Sequence, residues 1–266
     1  MPDVDRDDLA LIERAAGEAG RIAMRWWRED PKVWMKEGDS PVSEADIAVD
    51  EYLKETLLDA RPDYGWLSEE TEDDPQRRLG QRTFIVDPID GTRGFIQGAR
   101  NWCVSIAVVE KNRPVAGVLC SPPLERTITA KGGAGTFDNG TRVRFGSRSP
   151  GPISVTGPRV FMESATRILD RSTVRSPFVP SLAWRLAMVA CNEVDVAFAR
   201  SSARDWDLAA ADLIVHEAGA VLTDAGAAPL SYNCPSTRHG VLVACGPTQH
   251  EAMLDVARRV IEEAKT

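Results

Sequence analysis

Near the start of the chain, Leu9, Ile12, Ala16, Ala19, Ala23 and Trp27 recur at helical spacing with charges between them, which predicts a helix from about Asp7 to Arg28. A Pro-, Gly- and charge-rich connection leads to Ser43-Glu44-Ala45-Asp46, an N-cap-like start. The helix it opens carries Ile47, Val49, Tyr52, Leu53, Leu57 and Leu58 and ends near Arg61-Pro62. Gly65-Trp66-Leu67-Ser68 reads as a short strand leading into Glu69-Glu70, and an acidic loop from Glu72 to Pro75 follows. Thr83-Phe84-Ile85-Val86 is a buried-strand run that ends at Asp87.

From Trp102 the pattern changes to hairpins. Val104 to Val109 and Val115 to Leu119 are β-rich runs around a polar turn, and Thr127 to Ala130 is a third strand before the Gly-rich turn Gly132 to Gly135. The Gly-, Ser- and Pro-rich segment Gly146 to Pro152 marks a junction between two halves, residues 1–150 and 151–266. Beyond it, strand Ile153 to Thr156 precedes helix Met162 to Leu169, and helix Leu182 to Ala190 precedes strand Val194 to Phe198. Helix Leu208 to Ala218 stops at Gly219, strand Val241 to Cys245 follows, and a last helix runs from Gln249 to Ala264. Hairpins first and alternating elements later predict an α+β fold of packed layers.

Composition narrows the class. With 266 residues, 43% hydrophobic and 27% charged, the chain can bury the core of one large domain or two closely packed halves. No apolar run reaches the roughly 20 residues of a membrane span. The acidic start Met1 to Arg6 has no apolar signal region, so a cytoplasmic location is expected. Five scattered cysteines without a CxxC pair read as reduced thiols, and Cys103 and Cys245 sit in strand-like runs. A net charge of −8 weighs against binding a nucleic-acid polymer, yet it does not exclude a small phosphate bridged by divalent cations.

The candidate chemistry lies in carboxylates. Asp87 ends a buried strand and Asp90 lies across a turn stiffened by Pro88 and freed by Gly91, so the two would converge, repel and raise each other's pKa. Hard oxygens so placed suit Mg²⁺ or Mn²⁺. A bare D-x-x-D also reads as a turn with solvated aspartates, Asp207 as a plain helix cap, and Glu69-Glu70 as an acidic loop start. His216, His239 and His250 are too dispersed for a metal site or a phosphohistidine, and Trp26, Trp27 and Trp34 read as packing.

Glu69, the string Asp87-Pro88-Ile89-Asp90-Gly91-Thr92, and Trp206-Asp207 with Ala209-Ala210 resemble, in order and spacing, three signatures of the inositol monophosphatase superfamily. Lys36 to Asp46 and the pair Gly132 and Gly135 match as well, so the resemblance covers nearly the whole chain. It implies a layered α-β-α-β-α sandwich of the inositol monophosphatase and fructose-1,6-bisphosphatase type, a homodimer, and a Mg²⁺-dependent, lithium-sensitive phosphomonoesterase. By position, it implies that Glu69, Asp87 and the Ile89 carbonyl hold one metal and that Asp87, Asp90 and Asp207 hold a second. A weaker third ion would sit near Glu69 and Glu70. Thr92, supported by Asp46, would orient the attacking water beside Glu69, and the N–H groups of Gly91 and Thr92 would take phosphate oxygens.

The resemblance implies a small phosphorylated metabolite as the substrate. Polyol-specific members carry a glutamate where this chain has Arg200 or Ala199, and the small turn of the family becomes Pro180-Ser181-Leu182. Asp39 to Ser43, the run Ser181 to Leu186 and Arg200 to Asp205 resemble the 3'(2'),5'-bisphosphate nucleotidase branch, with Arg200 and Arg204 as either second-phosphate ligands or rim charges. Arg93-Gly94-Phe95 departs from the Lys-Glu-Phe of that branch, which leaves histidinol phosphate, inositol phosphate or a broad sugar phosphate specificity open. A catalytically silent metal- or nucleotide-binding protein is a third reading, and the intact set of acids argues against it.

Overall fold

The apolar stripe of the first helix is buried, though its end differs from the spacing. The computed structural model describes residues 4–36, 41–146, 151–169 and 172–264. Helix α1 (Val4–Ala23) buries Leu11, Ile12, Ala15, Ala16, Ala19 and Ala23. It stops before Arg28 because the chain turns there and the Trp27 Nε1–H donates to the Ala99 carbonyl at 3.1 Å. The connection that follows holds a small hairpin, β1 (Val33–Met35) with β2 (Pro41–Ser43). Residues 37–40 of the Lys36 to Asp46 motif, and 147–150 of the predicted junction, lie outside the described residues. Ser43 opens α2 (Glu44–Ala60) as its spacing predicts.

Seven strands form the large sheet in chain order: β3 (Gly65–Ser68), β4 (Arg82–Asp90), β5 (Cys103–Glu110), β6 (Arg113–Ser121), β7 (Arg126–Lys131), β8 (Gly135–Asp138) and β9 (Thr141–Val143). Only β3 and β4 run parallel; the later pairs are antiparallel hairpins. The short helix α3 (Thr92–Ile96) lies between β4 and β5. Strand β4 does not end at Asp87. It continues to Asp90 across a bulge, because Pro88 lacks the N–H that a regular ladder needs.

The second sheet has the order β11-β10-β12-β14-β13, from β10 (Ile153–Thr156), β11 (Thr173–Arg175), β12 (Val196–Ala199), β13 (Val221–Asp224) and β14 (Leu242–Cys245). Four helices accompany it: α4 (Arg159–Ile168), α5 (Leu182–Ala190), α6 (Asp205–Ala218) and α7 (His250–Glu263). Helices α1 and α2 cover one face of the large sheet through Leu53, Leu57, Phe84 and Ile106. Helices α5 and α6 fill the space between the two sheets, touching Ile85, Leu119 and Ile128 on one side and Leu222, Leu242 and Ala244 on the other. Helices α4 and α7 close the far face. The result is the α-β-α-β-α sandwich, and three separate apolar clusters explain why five layers are stable.

Glycines at two places set distances between layers. The Gly132 to Gly135 turn cradles a carboxylate of the protein, since the Gly133 and Gly135 N–H groups donate to Glu217 at 2.7 and 2.8 Å. Gly117 in β6 lets α6 lie close: a Cβ there would stand 3.1 Å from the Ala210 Cα. The small residues Ala209 to Ala211 serve the same approach, and α6 carries Asp207 at its start. Gly117→Val should therefore lower stability by about 1–3 kcal/mol through overpacking. Chemical denaturation measures this, and an unchanged midpoint would contradict the close seating of α6.

Candidate metal centre and active site

The parallel register pairs Ser68 with Val86, and the Glu69 N–H donates to the Val86 carbonyl at 3.2 Å. Glu69 and Asp87 therefore leave the same edge of the sheet side by side. Across the bulge, Asp87 faces Ser105 and Asp90 faces Cys103, so three steps on β4 match two on β5. The Ile89 N–H donates to Asp87 Oδ1 at 3.1 Å, which fixes the first carboxylate within the bulge. Asp207 is the third residue of α6, and its Oδ2 accepts the Arg204 N–H at 2.7 Å. One oxygen each from Glu69, Asp87 and Asp207 lies within 4.8 Å of the others.

Asp90 is not a member of that group among the described residues. Its carboxylate is held at the start of α5, accepting from the Leu182 N–H at 3.1 Å, the Ala183 N–H at 2.6 Å and the Ser181 hydroxyl. Gly91 permits this approach: it has φ +97°, and a Cβ would stand 3.0 Å from the Ser181 nitrogen. Thr92 opens α3, its Oγ1 at 3.0 Å from both Asp46 Oδ1 and the Ile89 carbonyl oxygen. Its single proton serves one of the two at a time. Asp46 Oδ2 accepts the Ser43 N–H at 2.8 Å and the Ser43 hydroxyl at 2.6 Å, so the start of α2 also holds a carboxylate.

Crowding shifts the acids upward. Burial, then the charges of Glu69, Asp90 and Asp207, pushes the Asp87 carboxyl well above its ordinary range. Burial and the charges of Asp90 and Glu69 do the same to Asp207. Asp90 is pushed up to about 6 by burial, opposed by its bonds from Ser181, Ala183 and Leu182. Glu70 reaches about 7 through burial, although Lys36 opposes it. The Lys36 ammonium lies 2.6 Å from Glu70 Oε1 and 3.4 Å from Glu69 Oε1, where the sequence resemblance places a weak third ion. Clustered oxygen donors with uncompensated charge fit a hard divalent cation.

Two cavities open against the cluster. One of about 590 Å³ reaches Asp207 and is lined by Phe178, Leu182, Arg185 and Arg200. Another of about 410 Å³ reaches Glu69 and is lined by Arg204, Trp206 and Thr237. Arg200 and Arg204 therefore belong to different cavities. Arg204 lies over the Trp206 ring and donates to Thr237 Oγ1 at 3.0 Å. Ser181 is buried with its hydroxyl committed to Asp90. His239 Nε2 lies 2.7 Å from Asp205 Oδ1 and secures the loop beside α6. The residues that sequence reasoning missed are Lys36 as a partner of Glu69 and Arg185. The signal for Arg185 was a cation inside the apolar run Leu182 to Ala190.

A carboxylate cluster fit to hold a divalent cation, set on a five-layer scaffold, is the class of site that this geometry defines. The chain belongs to the inositol monophosphatase family, whose match spans residues 5–262. It is 32% identical to an inositol-1-monophosphatase of Rhizobium meliloti, with 84% of this chain and 88% of that one covered. It is also 32% identical to a histidinol-phosphatase of Mycobacterium tuberculosis, covering 83% and 88%. A 3'(2'),5'-bisphosphate nucleotidase CysQ of Aggregatibacter actinomycetemcomitans is 27% identical, covering 88% and 90%. An IMPase structure from Thermotoga maritima superposes with a TM-score of 0.84 at 28% identity, covering 97% and 99%. The chain is thus a phosphoric monoester hydrolase of this family. No helix among the described residues is long and apolar enough to cross a membrane.

The raised carboxyls predict a pH response. Folded Asp90 and Glu70 keep protons to about 6 and about 7, whereas unfolded carboxyls release theirs near pH 4. Their contribution to stability is present below about pH 4 and is withdrawn as pH rises through 6 and 7. In excess chelator, Tm should fall between about pH 5 and about pH 8, and Asp87→Asn should show a smaller fall. Equal falls in both proteins would refute mutual repulsion at the cluster. Because a cation must displace these protons, Mg²⁺ affinity by calorimetry should strengthen over the same window.

Proposed function

We propose that this enzyme removes the 3'-phosphate of a nucleoside 3',5'-bisphosphate, such as adenosine 3',5'-bisphosphate, giving AMP and inorganic phosphate. The observation that carries this reading is the cavity beside Asp207. Arg159, Arg185 and Arg200 line it, and Asp207 is the only carboxylate in its wall among the described residues. A polyol needs acceptors for its hydroxyls, whereas a second phosphate needs guanidinium groups. The resemblance of Ser181 to Leu186 to the nucleotidase branch supports the same choice. The named relatives act on different esters, so their names alone do not select one.

In this reading Glu69, Asp87, Asp207, Asp90 and the Ile89 carbonyl hold Mg²⁺ ions, with Mn²⁺ as a substitute. Bound ions would neutralise the carboxylates, draw the phosphate oxygens in and acidify a water. The chain supplies the alignment. Thr92, held between Asp46 and the Ile89 carbonyl, orients the attacking water beside Glu69. The backbone of Gly91 and Thr92 receives phosphate oxygens. Water oxygen bonds to phosphorus as the bond to the ribose 3'-oxygen breaks, and that oxygen leaves protonated. Residues 1–150 bring most of the ligands, and residues 151–266 bring Asp207 and the substrate rim. The homodimer, lithium sensitivity and cytoplasmic setting belong to the same reading.

Phosphate release from a matched panel of adenosine 3',5'-bisphosphate, inositol 1-phosphate and histidinol phosphate tests the substrate. The bisphosphate should give the highest kcat/KM, and inositol phosphate ranking first would overturn the assignment. Thr92→Ala should lower kcat about 10- to 100-fold with a smaller change in KM. Full activity in excess chelator would remove the metal-assisted mechanism, and absence of turnover on every ester would favour a silent binding protein.

A further inference from the structure

The geometry points to Arg185, rather than the more conspicuous Arg200 and Arg204, as the residue that receives the second anionic group of the substrate. Phe178 supplies the apolar face beside it. The inference rests on the bisphosphate reading and assigns its selectivity to one buried side chain.

Arg185 lies on α5, one turn beyond the Ser181 cap that holds Asp90. It is only 9% exposed, yet it borders the cavity that reaches Asp207. Its buried Nε has no hydrogen-bond partner among the described residues, where the guanidinium makes only a long 3.5 Å contact from Nη1 to the Val179 carbonyl. Burial weakens its hold on the proton, while the charges of Asp90 and Asp207 strengthen it. A residue serving only as their counter-ion would contact their oxygens, but Asp90 is satisfied by the start of α5 and no bond joins Arg185 to either acid among the described residues. A desolvated guanidinium with an open donor is the arrangement that an incoming anion completes.

The other arginines are placed to contribute less. Arg159 has an 81% exposed side chain and already pairs with Glu163 at 2.6 Å. Arg200 is exposed to solvent, which screens its charge. Arg204 faces the other cavity. On the apolar side, Phe178 is 75% exposed at the cavity wall, close to Met162 and Pro180. A flat aromatic there offers a stacking surface for a base.

The test compares adenosine 3',5'-bisphosphate with adenosine 3'-monophosphate, which share the scissile ester and differ only in the 5'-phosphate. The readout is the ratio of their kcat/KM values in wild type, Arg185→Gln, Arg185→Lys and Arg200→Ala, with thermal unfolding to verify folding. Wild type should favour the bisphosphate, and Arg185→Gln should cut that ratio about 10- to 100-fold, mainly through KM. Arg185→Lys should restore part of it, and Arg200→Ala should change it less. AMP titrated calorimetrically into the Mg²⁺-loaded protein should lose affinity in Arg185→Gln. A wild-type ratio near one would overturn both the substrate reading and this assignment. A high wild-type ratio that survives in Arg185→Gln would overturn the assignment of Arg185 alone, and a parallel loss on both substrates would make its role structural.

Discussion

Three carboxylates, one buried and two half-buried, with an oxygen of each within 4.8 Å of the others, form the constraint on which the rest of the site depends. Like charges so close favour protonation or unfolding unless something positive faces them. The fold meets part of this demand with helix starts. Asp46 lies at the beginning of α2, Asp90 at that of α5 and Asp207 at that of α6, where backbone N–H groups and the helix dipole favour negative charge. The remaining imbalance is what makes the cluster a place for divalent cations.

Accuracy in that cluster comes from layers that are far from it in sequence. The parallel step between β3 and β4 aligns Glu69 with Asp87, and the bulge at Pro88 turns Asp90 toward α5. Helix α6 reaches the sheet closely because Gly117 and Ala210 leave room for backbone contact. The loop after Tyr232 secures the first residue of α6, with Asn233 N–H donating to Asp205 Oδ2 at 2.8 Å and His239 at 2.7 Å from Oδ1. Arg77 ties the same loop back to the acidic segment through Asn233 and the Cys234 carbonyl.

Helix α5 has two jobs that come from opposite properties of one element. Its start is a neutral donor set that orders Asp90, while Arg185 brings a full charge to the cavity next door. The order of Asp90 and the charge on the cavity wall therefore come from one helix but from different residues. The carboxylates meet at one side of the start of α5, and the arginine- and phenylalanine-lined wall flanks the other.

Much of the reaction was legible in the residues themselves. Asp87 to Thr92, Glu69 and Trp206-Asp207 form an ordered string whose chemistry is local: proline and glycine fix a stiff turn, and hard oxygens converge on it. Helical periodicity likewise exposed the buried faces of α1 and α2. Tertiary structure decided what linear spacing cannot carry. It showed that β4 runs on to Asp90 through a bulge, since strand pairing depends on a partner elsewhere in the chain. It also separated Arg200 from Arg204, four positions apart but on different walls, because the chain turns at Ser201-Ser202 between them, where Ser202 has a positive φ. Arg185 looked like an isolated charge in an apolar helix, and only the packing of that helix beside a cavity left its Nε without a partner at the cavity wall.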